Sequence, residues 1–342
     1  MIKNKCIHLV FVLFLGLISC ENNKVVTYSF YHWKTDFNLS KEDKLIIKNG
    51  GANKLYLRFF DIYYNAKQNK ALPIATTQFK IKIDDVAKDI IPVVFITNEV
   101  FNTLDESACN DLAKQVSYKI KRLLKTHLKN GNSCSEIQID CDWSRSTKHK
   151  YFSFLQQLKT YFKAYKLSAT LRLHQVKYRE ETGIPPVDSA VLMAYNVGNI
   201  ENIEEENSII SASITAKYLE RLSDYPLPYD VALPVFEWAV LYRRGKVVAI
   251  LNQYNSEDLK VNFKKTNTEN IYKAKHDCYI NGTFIYQSDL LRTETVSKND
   301  LKVLSDIIRK ASQHPYETIF YHISSPLIKQ FSNNELKTYC YY

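Results

Sequence analysis

The segment from Glu136 to Trp143 reads E-I-Q-I-D-C-D-W, two carboxylates two positions apart within an apolar, strand-like run. Side chains alternate along a strand, so Gln138, Asp140 and Asp142 are expected on one face. Ile137, Ile139, Cys141 and Trp143 take the other. The two Asp Cα atoms would sit about 6.5–7 Å apart at the strand's C-terminal end. Unpaired charge on the inner face of a buried strand is expensive, so the pair calls for a reason. In a barrel of parallel strands, that end is where catalytic side chains gather.

Such a pair needs a sheet to hold it, and strand-like and helix-like segments alternate after residue 25. Strands are expected at Thr27–Trp33, Lys54–Tyr63, Ile90–Thr97, Glu136–Trp143, Ser168–His174, Ala190–Tyr195, Asp230–Phe236 and Thr318–Ile323. Helices are expected at about 40–48, 106–129, 149–165, 211–223 and 298–312. In the second of these, Leu112, Val116, Ile120, Leu123, Leu124 and Leu128 recur at helical spacing. Eight strands with intervening helices predict an α/β fold, a (β/α)8 TIM barrel over residues 26–342. A polar, Asn- and Lys-rich stretch from about 243 to 292 breaks the rhythm and reads as an insertion after strand seven.

The N-terminus carries Lys3 and Lys5, an apolar run from Cys6 to Ile18, then Ser19-Cys20. This is the pattern of a signal peptide over residues 1–19, and the run is short for a membrane span. L-I-S-C (Leu17 to Cys20) resembles a bacterial lipobox. The resemblance implies lipidation of Cys20, a short tether over residues 20–25, and a lipid anchor in the cell envelope, with the outer membrane as the expected site.

The net charge of +10 over 342 residues is scattered, and short clusters such as Lys119-Ile120-Lys121-Arg122 read as solvated helix faces, not as a nucleic-acid groove. The five cysteines after Cys20 form no CxxC pair, which argues against a zinc site, and their pairing is left open. No G-x-S-x-G elbow, P-loop or dinucleotide fingerprint occurs, and no cofactor or metal is expected. Twenty-four tyrosines supply aromatic surface of the kind that stacks on sugars.

Three motifs in chain order, I-D-C-D-W in the fourth strand, L-M-A-Y-N (Leu192 to Asn196) in the sixth and V-A-L-P-V-F (Val231 to Phe236) in the seventh, resemble the chitinase-type family 18 glycoside hydrolases. With F-Y-H-W in the first strand, they resemble still more a family of uncharacterised bacterial TIM-barrel proteins related to those enzymes. The resemblance implies a glycan substrate or ligand. It matches Asp142 to the aspartate that assists through the substrate acetamido group, Asp140 to the inner supporting aspartate, and Tyr195 to the tyrosine contacting that acetamido group. The glutamic acid that protonates the glycosidic oxygen falls on Ser144, whose hydroxyl has no useful acidity near neutral pH.

A second carboxylate must then come from elsewhere. Asp61, Glu99 and Glu237 follow or end other strands, and Glu237 is the preferred partner of Asp140 and Asp142. Tyr195, Trp33, Trp238, His32 and Arg172 are expected to line the substrate site, while Trp143 alternates toward the helices. His174 and His322 also lie near strand ends. Two other readings stand beside the hydrolase: a carbohydrate-binding lipoprotein with a degenerate site, and a scaffold in which the Asp pair satisfies Arg172 and backbone donors.

Overall fold

A computed structural model describes residues 26–83, 86–128, 133–252 and 254–341. The expected leader, Cys20 and the tether lie outside these residues. Among the described residues, no helix is long and apolar enough to cross a membrane.

Eight parallel strands close on themselves: β1 (Tyr28–His32), β2 (Lys54–Asn65), β3 (Asp89–Ile96), β4 (Glu136–Asp140), β5 (Lys166–Arg172), β6 (Ser189–Met193), β7 (Tyr229–Pro234) and β8 (Thr318–Tyr321). Strand β1 pairs with β8 through Tyr28–Thr318 and with β2 through Phe30–Leu55, which closes the barrel. The chain is therefore a TIM barrel. The helix Glu106–His127 follows β3, with Asp105 capping Ala108, and buries Leu112, Val116, Ile120, Leu123 and Leu124 against it. The helices Lys148–Tyr161 and Lys298–Ala311 cover β4 and β7–β8 in the same way.

Alternation inside the barrel follows the pattern of the fourth strand. Trp143 points out, fully buried, stacked on Tyr151 at 5.2 Å with its Nε1 donating to the Thr182 carbonyl. Glu136, Gln138 and Asp140 point in. Ser168 donates to Glu136 at 2.5 Å, Tyr31 donates to Gln138 at 2.6 Å, and Thr170 donates to Asp140 at 2.6 Å. Strand β2 departs from strict alternation. A bulge between Arg58 and Phe60 turns Phe59 outward against Phe79 and lets Arg58 and Asp61, three residues apart, face inward together.

The insertion after β7 is real, and its limits are wider than 243–292. It begins at Trp238 and ends at Glu294, in a five-stranded antiparallel sheet ordered 246–251, 238–243, 290–294, 271–274, 263–265. Its flanking strands are apolar and buried on both faces, so they read in sequence as parts of the barrel. The sheet has a small core of its own around Leu241, Leu251, Phe263 and Leu291. Arg292 and Glu294, both wholly buried, pair at 2.6 Å. Glu294 also accepts from the Ser208 amide and hydroxyl and from Trp238 Nε1, between 2.7 and 2.8 Å, and Arg292 reaches the Asn202 carbonyl. The insertion is thus fastened to the loop that follows β6.

At the N-terminal end of the barrel, Glu136, Asp230 and Glu317 cluster around Lys54, which pairs with Glu317 at 2.8 Å. Burial raises the carboxyls of Glu136 and Asp230, and Lys54 with the local donors offsets only part of the rise. Their folded values lie above the unfolded ones, so the stability they contribute is full below about pH 4 and is lost as pH rises through the folded values. Glu136→Gln keeps an acceptor for Ser168 and removes the ionisation. Its thermal midpoint should exceed that of the wild type at pH 7, with the gap closing as pH falls toward 4. A gap independent of pH between 4 and 8 contradicts this assignment.

Candidate active site

The C-terminal ends of the strands hold Asp140 and Asp142 in unlike surroundings. Asp140 is buried beneath the mouth, bonded to Thr170, with Arg172 Nη2 at 3.9 Å from its Oδ1. Burial pushes its carboxyl up, and Arg172 and Thr170 counter only part of the rise. Asp142 is half exposed, with Arg172 Nε at 4.0 Å from Oδ2 and His174 Nε2 at 3.7 Å from Oδ1. Arg172 therefore stands between the two acids. Burial works against its charge, but the anions around it, Asp140 first among them, hold it more firmly protonated.

The local chain sets the backbone of Arg172 in place. Strand β5 ends at Arg172, and a short helix, Leu173–Lys177, begins at once. Gln175 in that helix accepts from the Arg172 amide at 2.8 Å and donates to the Trp143 carbonyl at 2.9 Å. One amide side chain thereby ties the ends of β4 and β5 together. The turn also moves His174, expected at a strand end, onto a helix beside Asp142.

Three adjoining cavities open at this mouth, and Asn196 borders all of them. Asp142, Arg172, His174 and Tyr195 line one of about 260 Å³. Asp61, Asp140, Arg172, Tyr195 and Tyr321 line one of about 250 Å³. The largest, about 660 Å³, lies between the barrel and the insertion, with Trp33, Arg58, Glu237, Trp238, Asn252 and Tyr321 on its walls. Asn196 has φ +57°, a left-handed conformation that asparagine tolerates better than most residues. Tyr195 stacks on Tyr321 at 5.1 Å and donates to Met193 Sδ.

Not every expected residue reaches the cleft. Glu237 does: it is half-buried on the largest cavity, burial raises its carboxyl, and the Thr295 hydroxyl, 3.4 Å away, offsets part of that. Trp33 lines two cavities, with Arg58 5.6 Å from its ring centroid. Trp238 also borders the largest cavity but is nearly buried, held by Glu294 and Phe236. His32 corrects the expectation that it lines the substrate site. It lies on the outward face of β1, wholly buried against Phe37, where burial lowers its ring to about 4. Asp61 faces in but is bound bidentately by Arg58. Glu99 is exposed and borders none of the three cavities. Ser144 belongs to a hydroxyl network with Ser146, Thr147 and Asn98 and likewise borders none. Tyr321 and Asn196 escaped the sequence reading as lining residues, although period two puts Tyr321 on the same face of β8 as Ile319 and Asn196 ends the L-M-A-Y-N motif.

No protein-family model matches the sequence, and no curated protein matches it. Solved structures do. The spore cortex-lytic enzyme SleL of Bacillus megaterium superposes with a TM-score of 0.53 at 13% identity, over 91% of this chain and 73% of that one. SleL of Bacillus cereus gives 0.53 at 14%, over 92% and 74%. A chitinase from Chromobacterium violaceum gives 0.50 at 9%, over 91% and 98%. The likeness is one of fold. It spans 91–92% of this chain.

Removing the cation between the acids leaves Asp140 buried without its counter-charge. Arg172→Ala should cost about 3–5 kcal/mol in urea unfolding at pH 7. Asp140→Asn in that background should recover most of the loss. Additive losses in the double variant would mean that the two side chains do not interact.

Proposed function

We propose that this chain is a glycoside hydrolase-like protein of the bacterial cell envelope that binds and cleaves a polysaccharide or other glycan. One observation carries the reading. Asp142 and the half-buried Glu237 open onto adjoining cavities joined at Asn196, whose walls combine aromatic rings and neutral amides with a few charged side chains, Arg58 and Arg172 among them. Ring faces of Trp33 and Tyr321 suit the C–H face of a pyranose, and Asn196 and Asn252 suit its hydroxyls. The fold shared with SleL and chitinase supports a glycan as the ligand, and an open mouth suits a ligand site better than a scaffold. The lipobox-like L-I-S-C supports anchoring by a lipid on Cys20.

In this reading, Glu237, whose burial favours the protonated form, donates to the glycosidic oxygen as the C1–O bond breaks. Asp142 stands beside the anomeric centre, and water supplies hydroxide to C1 and a proton back to Glu237. Asp140 and Arg172 position Asp142. A second reading, capture without cleavage, is favoured by Ser144, which occupies the family's acid position and is held in its hydroxyl network.

Mass spectrometry of sugars released from chitin, peptidoglycan and plant, algal and host glycans separates the two. Glu237→Gln should lower release about 10²–10⁴-fold, and Asp142→Asn should abolish it, each with a nearly unchanged thermal midpoint. Binding without release by the folded wild type selects the second reading, and neither binding nor release overturns both.

A further inference from the structure

The insertion displays an aromatic strip that lies outside all three cavities. Strands Cys278–Ile280 and Thr283–Ile285 form a hairpin in which Tyr279 pairs with Phe284. Alternation sends Ile280 and Ile285 into the insertion's core and leaves Tyr279 and Phe284 on the opposite face. The Tyr279 and Phe284 rings lie 4.8 Å apart, and Phe284 meets Tyr286 edge-on at 4.7 Å. Tyr279 is 70% exposed and Tyr286 49%.

The strip is also built to stay in place. The Arg243 guanidinium lies 4.2 Å from the Tyr286 ring centroid. It donates to both carboxylate oxygens of Asp289, at 2.8 to 3.2 Å, and to the Phe284 carbonyl at 3.2 Å. Asp289 matches the Arg243 charge, so the rings are fixed by a neutral pair. Clustered exposed aromatics of this kind mark an interaction surface more often than chance, and fixing them beforehand lowers the entropy cost of binding.

The hairpin's position says what the surface meets. Its turn, Asn281-Gly282, has φ of 45° and 80°, and Asn281 borders the largest cavity of the cleft. The strip and the cleft therefore belong to one hairpin, with its tip at the mouth and its rings along the outside. We propose that Tyr279, Phe284 and Tyr286 form a second glycan-binding surface, holding a neutral polysaccharide chain as it runs out of the cleft past Asn281. The inference rests on the glycan reading of the cleft. The ring faces take pyranose C–H faces and the tyrosine hydroxyls bond to sugar hydroxyls, so the surface favours a long chain over a short oligosaccharide.

Two measurements on the full chain test this: co-sedimentation with insoluble chitin, cellulose and peptidoglycan, and calorimetric titration with tetrasaccharides of the same glycans. The Tyr279→Ala/Tyr286→Ala variant should bind polymer about tenfold more weakly and tetrasaccharide unchanged. Tyr279→Trp should keep polymer binding. Unchanged polymer binding in the double variant, or tetrasaccharide binding without polymer binding in the wild type, overturns the strip and leaves the cleft reading standing. A wild-type dimer that the double variant converts to monomer identifies the strip as an interface between copies and overturns the proposal. A wild type that binds neither probe overturns the cleft reading together with it.

Discussion

The polar interior of a closed barrel constrains everything else in this molecule. TIM barrels usually fill that space with branched apolar side chains, whereas here Glu136, Gln138, Asp140, Ser168, Thr170 and Tyr31 project inward. Each buried polar atom must find a partner or carry a desolvation cost. Ser168 serves Glu136, Thr170 serves Asp140, and Tyr31 reaches across the barrel to Gln138. These bonds exist only in one register, since a slip by one residue would send every inward group to the helices. The positions of the site residues are thus a by-product of satisfying the interior.

That requirement grades the mouth electrostatically. Asp140 sits below, bonded and buried, while Asp142 stands above it in partial contact with solvent. Arg172 separates the two and keeps the lower acid from being an isolated charge. On the far wall Glu237 is partly desolvated, and its hydrogen bond comes from the Thr295 hydroxyl. Carboxyl groups whose surroundings differ this much can take different roles at one pH.

Much of this was legible in the sequence, for identifiable reasons. Periodicity located the eight strands to within a few residues, and period-two counting put Asp140 inside and Trp143 outside, although β4 itself ends at Asp140. Counting failed where the backbone is not. The bulge at Phe59 sets Arg58 and Asp61 on one face against the alternation, and the break after Arg172 moves His174 to a helix. His32 was misplaced by its nearness to a strand end, although alternation with Tyr31 would have turned it outward. The limits of the insertion were hidden because Trp238–Tyr242 and Leu290–Leu291 are as apolar as barrel strands. Contacts between distant segments, such as Gln175 with Trp143 or Glu294 with Ser208, leave no local signature.

The fastening at Glu294 bears on how a ligand would arrive. Swinging the insertion away from the barrel would strip Glu294 of the Ser208 amide and hydroxyl and Arg292 of the Asn202 carbonyl, and expose a dry ion pair, a change of several kcal/mol. A wall held so firmly cannot act as a gate. The width of the cleft is preset, so selection among sugars falls to shape at first encounter and not to closure afterwards. Capture kinetics would then follow diffusion and desolvation, with a single phase and no slow conformational step.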